Sequence, residues 1–129
     1  SDFCKKKYNL TRVMEFYKDK TIYFCGHSLG ATATTLLAND FATSHDVHLV
    51  LFGSPKLGGS NFSNAIRIKG IPTTCFKTKY DIVTRLPFEK LGYTSFCDEI
   101  ELSTGFEPHE ILNNHSIQTY IAELEKYMV

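Results

Sequence analysis

The stretch Thr21-Ile22-Tyr23-Phe24-Cys25-Gly26-His27-Ser28-Leu29-Gly30 constrains this chain more than any other, because it joins an unbroken apolar run to a serine bracketed by glycines. A serine hydroxyl becomes a useful nucleophile only when it is held out from the backbone, beside a base and beside amide donors. A sharp strand-to-helix turn supplies all three. It forces Ser28 into a strained backbone conformation, and it asks the neighbours at i−2 and i+2, here Gly26 and Gly30, to be nearly free of side chain. The Leu29 N–H then faces the place where an oxyanion would form. Ile22 to Cys25 shows no polar alternation and predicts a parallel-sheet strand covered on both faces. Leu29 to Ala42 is rich in Ala and Leu, lacks proline, and predicts a helix packed closely on that sheet. Standing alone, GxSxG is a weak signal whose rival is a glycine-bounded turn with an inert serine. The flanking strand and helix are what favour the nucleophile.

The chain around this unit has single-domain length, 129 residues, and its 43% hydrophobic content is enough for a real core. Fourteen basic residues balance 14 acidic ones, so no net field favours nucleic acid or a constitutively bound anionic membrane. The short basic run Lys5-Lys6-Lys7 reads as a solvated face or a linker. No run approaches the ~20 apolar residues that cross a bilayer, and the opening residues Ser1-Asp2-Phe3-Cys4-Lys5 do not read as a signal peptide. The absence of an initiator Met suggests a chain cut from something longer. Cys4, Cys25, Cys75 and Cys97 show neither CxxC spacing nor clustering with histidine, so no zinc site, and no cofactor, is expected. On buried strands Cys25 and Cys75 would be inert thiols, which favours a reducing setting and a cytoplasmic location.

Taken in order, Leu10, Val13, Met14 and Tyr17 recur on one face of a helix over 9–19 with Asn9 as N-cap. Apolar runs bounded by turn signals predict strands near 21–26, 47–53 and 73–78, the last entered through Pro72. Gly58 to Ile66 reads as a loop leading into a short helix, Ile82 to Pro87 as an extended loop, and Glu99 to Leu102 as an edge strand or hairpin arm. A terminal amphipathic helix over 116–127 carries Ile117, Tyr120, Ile121 and Leu124 on one face, with Met128 just beyond, and His115 stands in a loop directly ahead of it. The chain predicts one α/β domain spanning 1–129, a mostly parallel sheet flanked by helices.

Ligands collect at the carboxyl ends of parallel strands, and Ser28 and Asp81 each stand just past such an end. The order Ser28, Asp81, His115 is that of the α/β-hydrolase triad, in which His115 takes the serine proton and Asp81 fixes its tautomer. Each partner has a plainer reading, Asp81 as a turn residue and His115 as a surface cap. A rival base is His109 in Glu107-Pro108-His109-Glu110. His115 is preferred because no carboxylate flanks it and because it precedes the last helix.

Four segments then resemble the class 3 lipase family, the fungal triacylglycerol-lipase-like branch of the α/β-hydrolases. They are Gly26-His27-Ser28-Leu29-Gly30; Phe52-Gly53-Ser54-Pro55-Lys56-Leu57-Gly58 with Phe62; Asp81-Ile82-Val83-Thr84-Arg85-Leu86-Pro87 with Gly92-Tyr93; and His115-Ser116 with Tyr120. The chain departs from the usual pattern in having Cys25 before the elbow and Ala31 after it. The resemblance implies a serine ester hydrolase acting on lipid or other carboxylic esters, with Ser28, Asp81 and His115 as catalytic residues and the Leu29 amide as oxyanion donor. It also implies transient contact with a membrane or lipid interface, and it covers only the C-terminal half of the family fold. The early strands, a lid and the loop bearing a second oxyanion donor would then precede Ser1. An incomplete sheet of this kind is expected to leave one long edge unpaired. The alternative from another functional class is a lipase-like interaction domain that keeps the triad residues without turnover. A peptidase or thioesterase would use the same elbow but not the later segments.

Overall fold

Each predicted strand forms within a residue or so of its apolar run. The computed structural model describes residues 2–128, with side chains from residue 9 onward. The expectations for Cys4 and for Lys5-Lys6-Lys7 concern side chains outside the described residues. In order, the elements are α1 (Asp2–Phe16), β1 (Ile22–His27), α2 (Leu29–Phe41), β2 (Val47–Phe52), β3 (Gly58–Gly59), α3 (Ser60–Ile68) and β4 (Thr73–Thr78). Two 3-10 turns follow at Ile82–Arg85 and Glu89–Leu91, then β5 (Tyr93–Thr94), β6 (Glu99–Leu102), α4 (Ile111–His115) and α5 (Ile117–Glu125).

The main sheet has strand order β1-β2-β4-β6, and every pairing in it is parallel. Val47, Leu49 and Leu51 of β2 alternate inward and are buried, with Cys75 beside Leu51 on β4. Against this face lie Met14 of α1, Ala31, Ala38 and Phe41 of α2, and Ile66 of α3, which together form the core. Small residues on α2 let it approach the sheet closely, as close packing of a βα unit requires.

Several local expectations are corrected. Helix α1 starts at Asp2, so Asn9 lies inside it rather than capping it, and Val13 and Tyr17 of its expected inner face are exposed while Met14 is buried. Strand β1 is not covered on both faces. As an edge strand it buries one side only, with Tyr23 62% exposed and Cys25 exposed. Cys75 is no inert thiol, because it is disulfide-bonded to Cys97, 22 residues on. Residues 82–87 form a 3-10 turn and a cis Leu86–Pro87 bond instead of an extended loop. Helix α5 turns Thr119, Tyr120 and Glu123 inward and leaves Ile121 exposed, a face rotated from the apolar periodicity by the need to seat one phenol. Strand β6 is the far edge of the sheet, joined in parallel to β4, and is not a hairpin arm.

Candidate active site

The parallel sheet brings three chain segments to one edge. Ser28 follows β1, Gly53 follows β2 and Asp81 follows β4 by three residues; the connection after β6 returns through α4 to His115. Ser28 has φ 56° and ψ −127°, the one non-glycine residue with positive φ among those described. A β-carbon there costs on the order of 1 kcal/mol or more, which the surrounding turn must offset. The turn is held by the Ser28 N–H donating to Phe52 O at 3.0 Å and the Ala31 N–H donating to Ser28 O at 3.0 Å. Gly26 meets the expectation of a bare position, since a Cβ there would lie 2.6 Å from Gly30 O and 2.7 Å from Ala31 Cα. Gly30 does not, because nothing lies within 4 Å of a Cβ built on it.

Four side chains line up across this edge. The Tyr120 hydroxyl donates to Asp81 Oδ2 at 2.6 Å, and the Val83 N–H donates to Asp81 Oδ1 at 2.9 Å. Asp81 is buried and also receives His115 Nδ1 at 2.8 Å through Oδ2 and 3.0 Å through Oδ1. A carboxylate accepts only, so the Nδ1 nitrogen carries the proton and Nε2 of a neutral ring offers its lone pair. Nε2 stands 2.7 Å from Ser28 Oγ. His109 lies exposed on the surface, and the imidazole at Ser28 is that of His115. His115 is the last residue of α4 and not a loop residue, and α4 is anchored by Asn114, whose amide donates to Glu107 O and Glu110 O. Glu110 accepts from the Glu107 N–H and from Asn113, and those two bonds hold its carboxyl below the usual carboxylate range.

Sequence reasoning left three contributors unassigned. Tyr120 was legible only as an apolar helix position and as part of a resemblance, because a tyrosine at helical spacing looks like core. In the fold it is fully buried, its phenol raised well above the ordinary value by burial first and then by the bond to Asp81, so it stays a donor. Gly53, in the sequence, is only part of the second segment of the family resemblance. It has φ 56°, and a Cβ on it would fall 2.8 Å from Asp81 Oδ2, 3.0 Å from the Tyr120 hydroxyl and 3.2 Å from His115 Cε1. His27 was a passenger of the motif, and its Nε2 lies 2.7 Å from the His115 carbonyl. Leu29, which follows Ser28 at the head of α2, is 76% exposed. Among the described residues no group of three or more His, Cys, Asp or Glu could hold a metal ion, and no helix is long and apolar enough to cross a membrane.

Comparison with known proteins places the chain in a family. The profile of the family "Lipase (class 3)" matches residues 5–91, which covers β1, the elbow and Asp81. The chain belongs to the class 3 lipase family. Among curated relatives, phospholipase A1-II 2 of Oryza sativa subsp. indica is 29% identical over 136 residues, covering 92% of this chain and 33% of its own length. Phospholipase A1-IIalpha of Arabidopsis thaliana is 36% identical over 141 residues, covering 87% of this chain and 31% of its own. The chain therefore spans about a third of the length of these relatives. Among solved structures, the mono- and diacylglycerol lipase of Aspergillus oryzae superposes with TM-score 0.67 at 26% identity, over 78% of this chain and 37% of that one. The Rhizomucor miehei lipase propeptide complex gives TM-score 0.67 at 25% identity, over 72% and 32%. The architecture of this class 3 lipase chain is thus the α/β-hydrolase type found in fungal lipases.

Proposed function

We propose that this chain carries the nucleophile, acid and base of a lipid carboxylic-ester hydrolase, working through an acyl-enzyme. The observation that carries the reading is the continuous line Tyr120–Asp81–His115–Ser28, each link a hydrogen bond of 2.6 to 2.8 Å, ending on a serine in a strained turn. In this scheme His115 Nε2 accepts the Ser28 proton as Oγ attacks the ester carbonyl, and Asp81 stabilises the imidazolium that results. The tetrahedral oxyanion meets the Leu29 N–H at the head of α2. Collapse expels the alcohol, which takes the proton back from His115. A water activated by the same ring then releases the fatty acid. No cofactor or metal takes part in the scheme.

The substrate class follows the relatives, whose names are phospholipase A1 and lipase. Exposed Leu29, Ile82, Ile111 and Leu112 stand next to or near the site residues in sequence and support transient contact with a lipid surface. The whole of 1–129 acts here as one lipase-like domain. The expected cytoplasmic location rests on Cys25 and Cys75 as inert thiols on buried strands; Cys25 is free but exposed and Cys75 is bridged to Cys97, and a bridge favours a compartment that sustains disulfides.

The test is hydrolysis of an emulsified or micellar phospholipid and of a diacylglycerol by the polypeptide that carries this chain, with Ser28→Ala beside it. Fatty-acid release that the substitution abolishes supports the reading. Release that survives Ser28→Ala would mean that the elbow is only a turn. No release from either substrate by a folded protein would favour the interaction-domain alternative.

A further inference from the structure

The residue before Ser28 makes a contact that the scheme above does not use. His27 and His115 are 88 positions apart, yet His27 Nε2 lies 2.7 Å from the backbone carbonyl of His115, and the two imidazoles lie against each other with centroids 4.8 Å apart and planes tilted by 31°. A carbonyl only accepts, so His27 Nε2 carries a proton and donates. This carbonyl belongs to the last residue of α4, where a helix leaves its C=O groups without intrahelical partners. The His27 ring also meets the edge of Tyr120, at 5.8 Å between centroids.

We infer that His27 is a positioning residue that sets the distance between Ser28 and the ring of His115. The proposal rests on the hydrolase reading of the same site. Ser28 is bonded to His115 through its side chain, and its covalent neighbour His27 is bonded to His115 through the backbone. The two bonds close a small ring of contacts between the elbow and the α4–α5 junction. Asp81 fixes the rotation of the His115 ring from the Nδ1 side, but a single pair of bonds to one carboxylate leaves the ring free to slide toward or away from Oγ as α4 shifts. Tying the main chain of His115 to the residue beside the nucleophile removes that freedom. The His27 ring, tilted by 31° against the His115 imidazole, lies over one face of it and limits its tilt as well. A misplacement of reacting groups by about 1 Å can cost ~10²-fold in rate without any loss of binding, and that defines the expected signature.

Three substitutions separate donor, ring and volume. Gln projects an N–H near the position of Nε2, Phe keeps a ring but not the donor, and Met keeps volume alone. With a water-soluble p-nitrophenyl ester and the polypeptide that carries this chain, His27→Phe and His27→Met should lower kcat and the acylation burst roughly 10- to 100-fold with KM little changed. His27→Gln should restore both rates to within about 3-fold of the starting protein. Ser28→Ala run alongside distinguishes the failures: activity surviving Ser28→Ala would remove the hydrolase reading itself. Loss with Ser28→Ala but full acylation rate in folded His27→Phe and His27→Met would overturn the role of His27 alone. If neither of those two variants folds while His27→Gln folds and turns over normally, the bond is a staple of the fold, and the positioning role is likewise overturned.

Discussion

The two sides of the site differ in how completely this chain builds them. On the acid side, Asp81 is buried and receives Tyr120, Val83 N–H and His115, with Gly53 pressed against all but Val83. On the elbow side Leu29 stands in the open and Gly30 has free space where a side chain would go. The acid side resembles a protein interior, where polar groups are fully bonded and a methyl group is felt. The elbow side resembles an exposed helix start. Most of the bonds that hold His115 thus come from residues 53–120, and the elbow adds two, from Ser28 to its ring and from His27 to its carbonyl.

The largest effect expected from breaking the acid side is the removal of its base. His115→Ala should reduce ester hydrolysis roughly 10⁴- to 10⁶-fold, and His109→Ala should leave it unchanged. The reverse pattern in a kinetic assay would give the role to His109. Next in size is the Cys75–Cys97 bridge, which closes the segment that holds Asp81. Opening a loop with separation 22 removes about 3 kcal/mol of stability. A mild reductant should therefore lower the denaturant midpoint and, with it, resistance to proteolysis between β4 and β6, whereas an unchanged midpoint would deny the bridge a structural role.

Two glycines sharpen the contrast within one experiment. Gly53→Ala adds a methyl into contact with polar atoms at positive φ and should cost about 2 to 3 kcal/mol together with most of the activity. Gly30→Ala, in the first turn of α2 with nothing near it, should be neutral or stabilise by up to about 1 kcal/mol. Equal losses in thermal unfolding would mean that the two sides are equally packed. The smallest effect belongs to Tyr120→Phe. Its phenol is held above the ordinary value of about 10, so the folded chain keeps a proton that the unfolded chain gives up in alkali. That contribution is fully present below pH ~10 and is lost as pH rises beyond it. The wild type should lose stability steeply above pH ~10 and Tyr120→Phe less steeply, from a start about 1 to 3 kcal/mol lower. Parallel curves would place the alkaline loss elsewhere.

Much of the frame was legible because its signals are local. The apolar runs predicting strands near 21–26, 47–53 and 73–78 named the sheet, and the turn signals that bound them marked the loops that carry the site. Spacing along the chain also singled out Ser28, Asp81 and His115, since α/β topology delivers strand ends to one edge. What could not be read depends on contacts across the chain. The partner of Cys75 is set by the approach of the β5–β6 connection to β4, and Cys spacing alone does not give it. Thr119 and Glu123 turn inward and Ile121 outward against the apolar period of α5, because the helix is set to bring the Tyr120 hydroxyl to the buried Asp81 carboxylate. Strand β1 looked covered on both faces, yet its place at the sheet edge leaves Tyr23 and Cys25 exposed. The need for bare space at Gly30 was inferred from the motif, and only Gly26 meets it here.

The central claim is that Ser28 is an activated nucleophile, and covalent capture tests it most directly. A fluorophosphonate probe reacts with a serine whose proton a neighbouring base removes, and peptide mass spectrometry of the labelled polypeptide locates the adduct. The account predicts one adduct, on Ser28, lost in Ser28→Ala and strongly slowed in His115→Ala. An adduct on any other residue, or no labelling of Ser28 in a folded protein that hydrolyses esters, would contradict it.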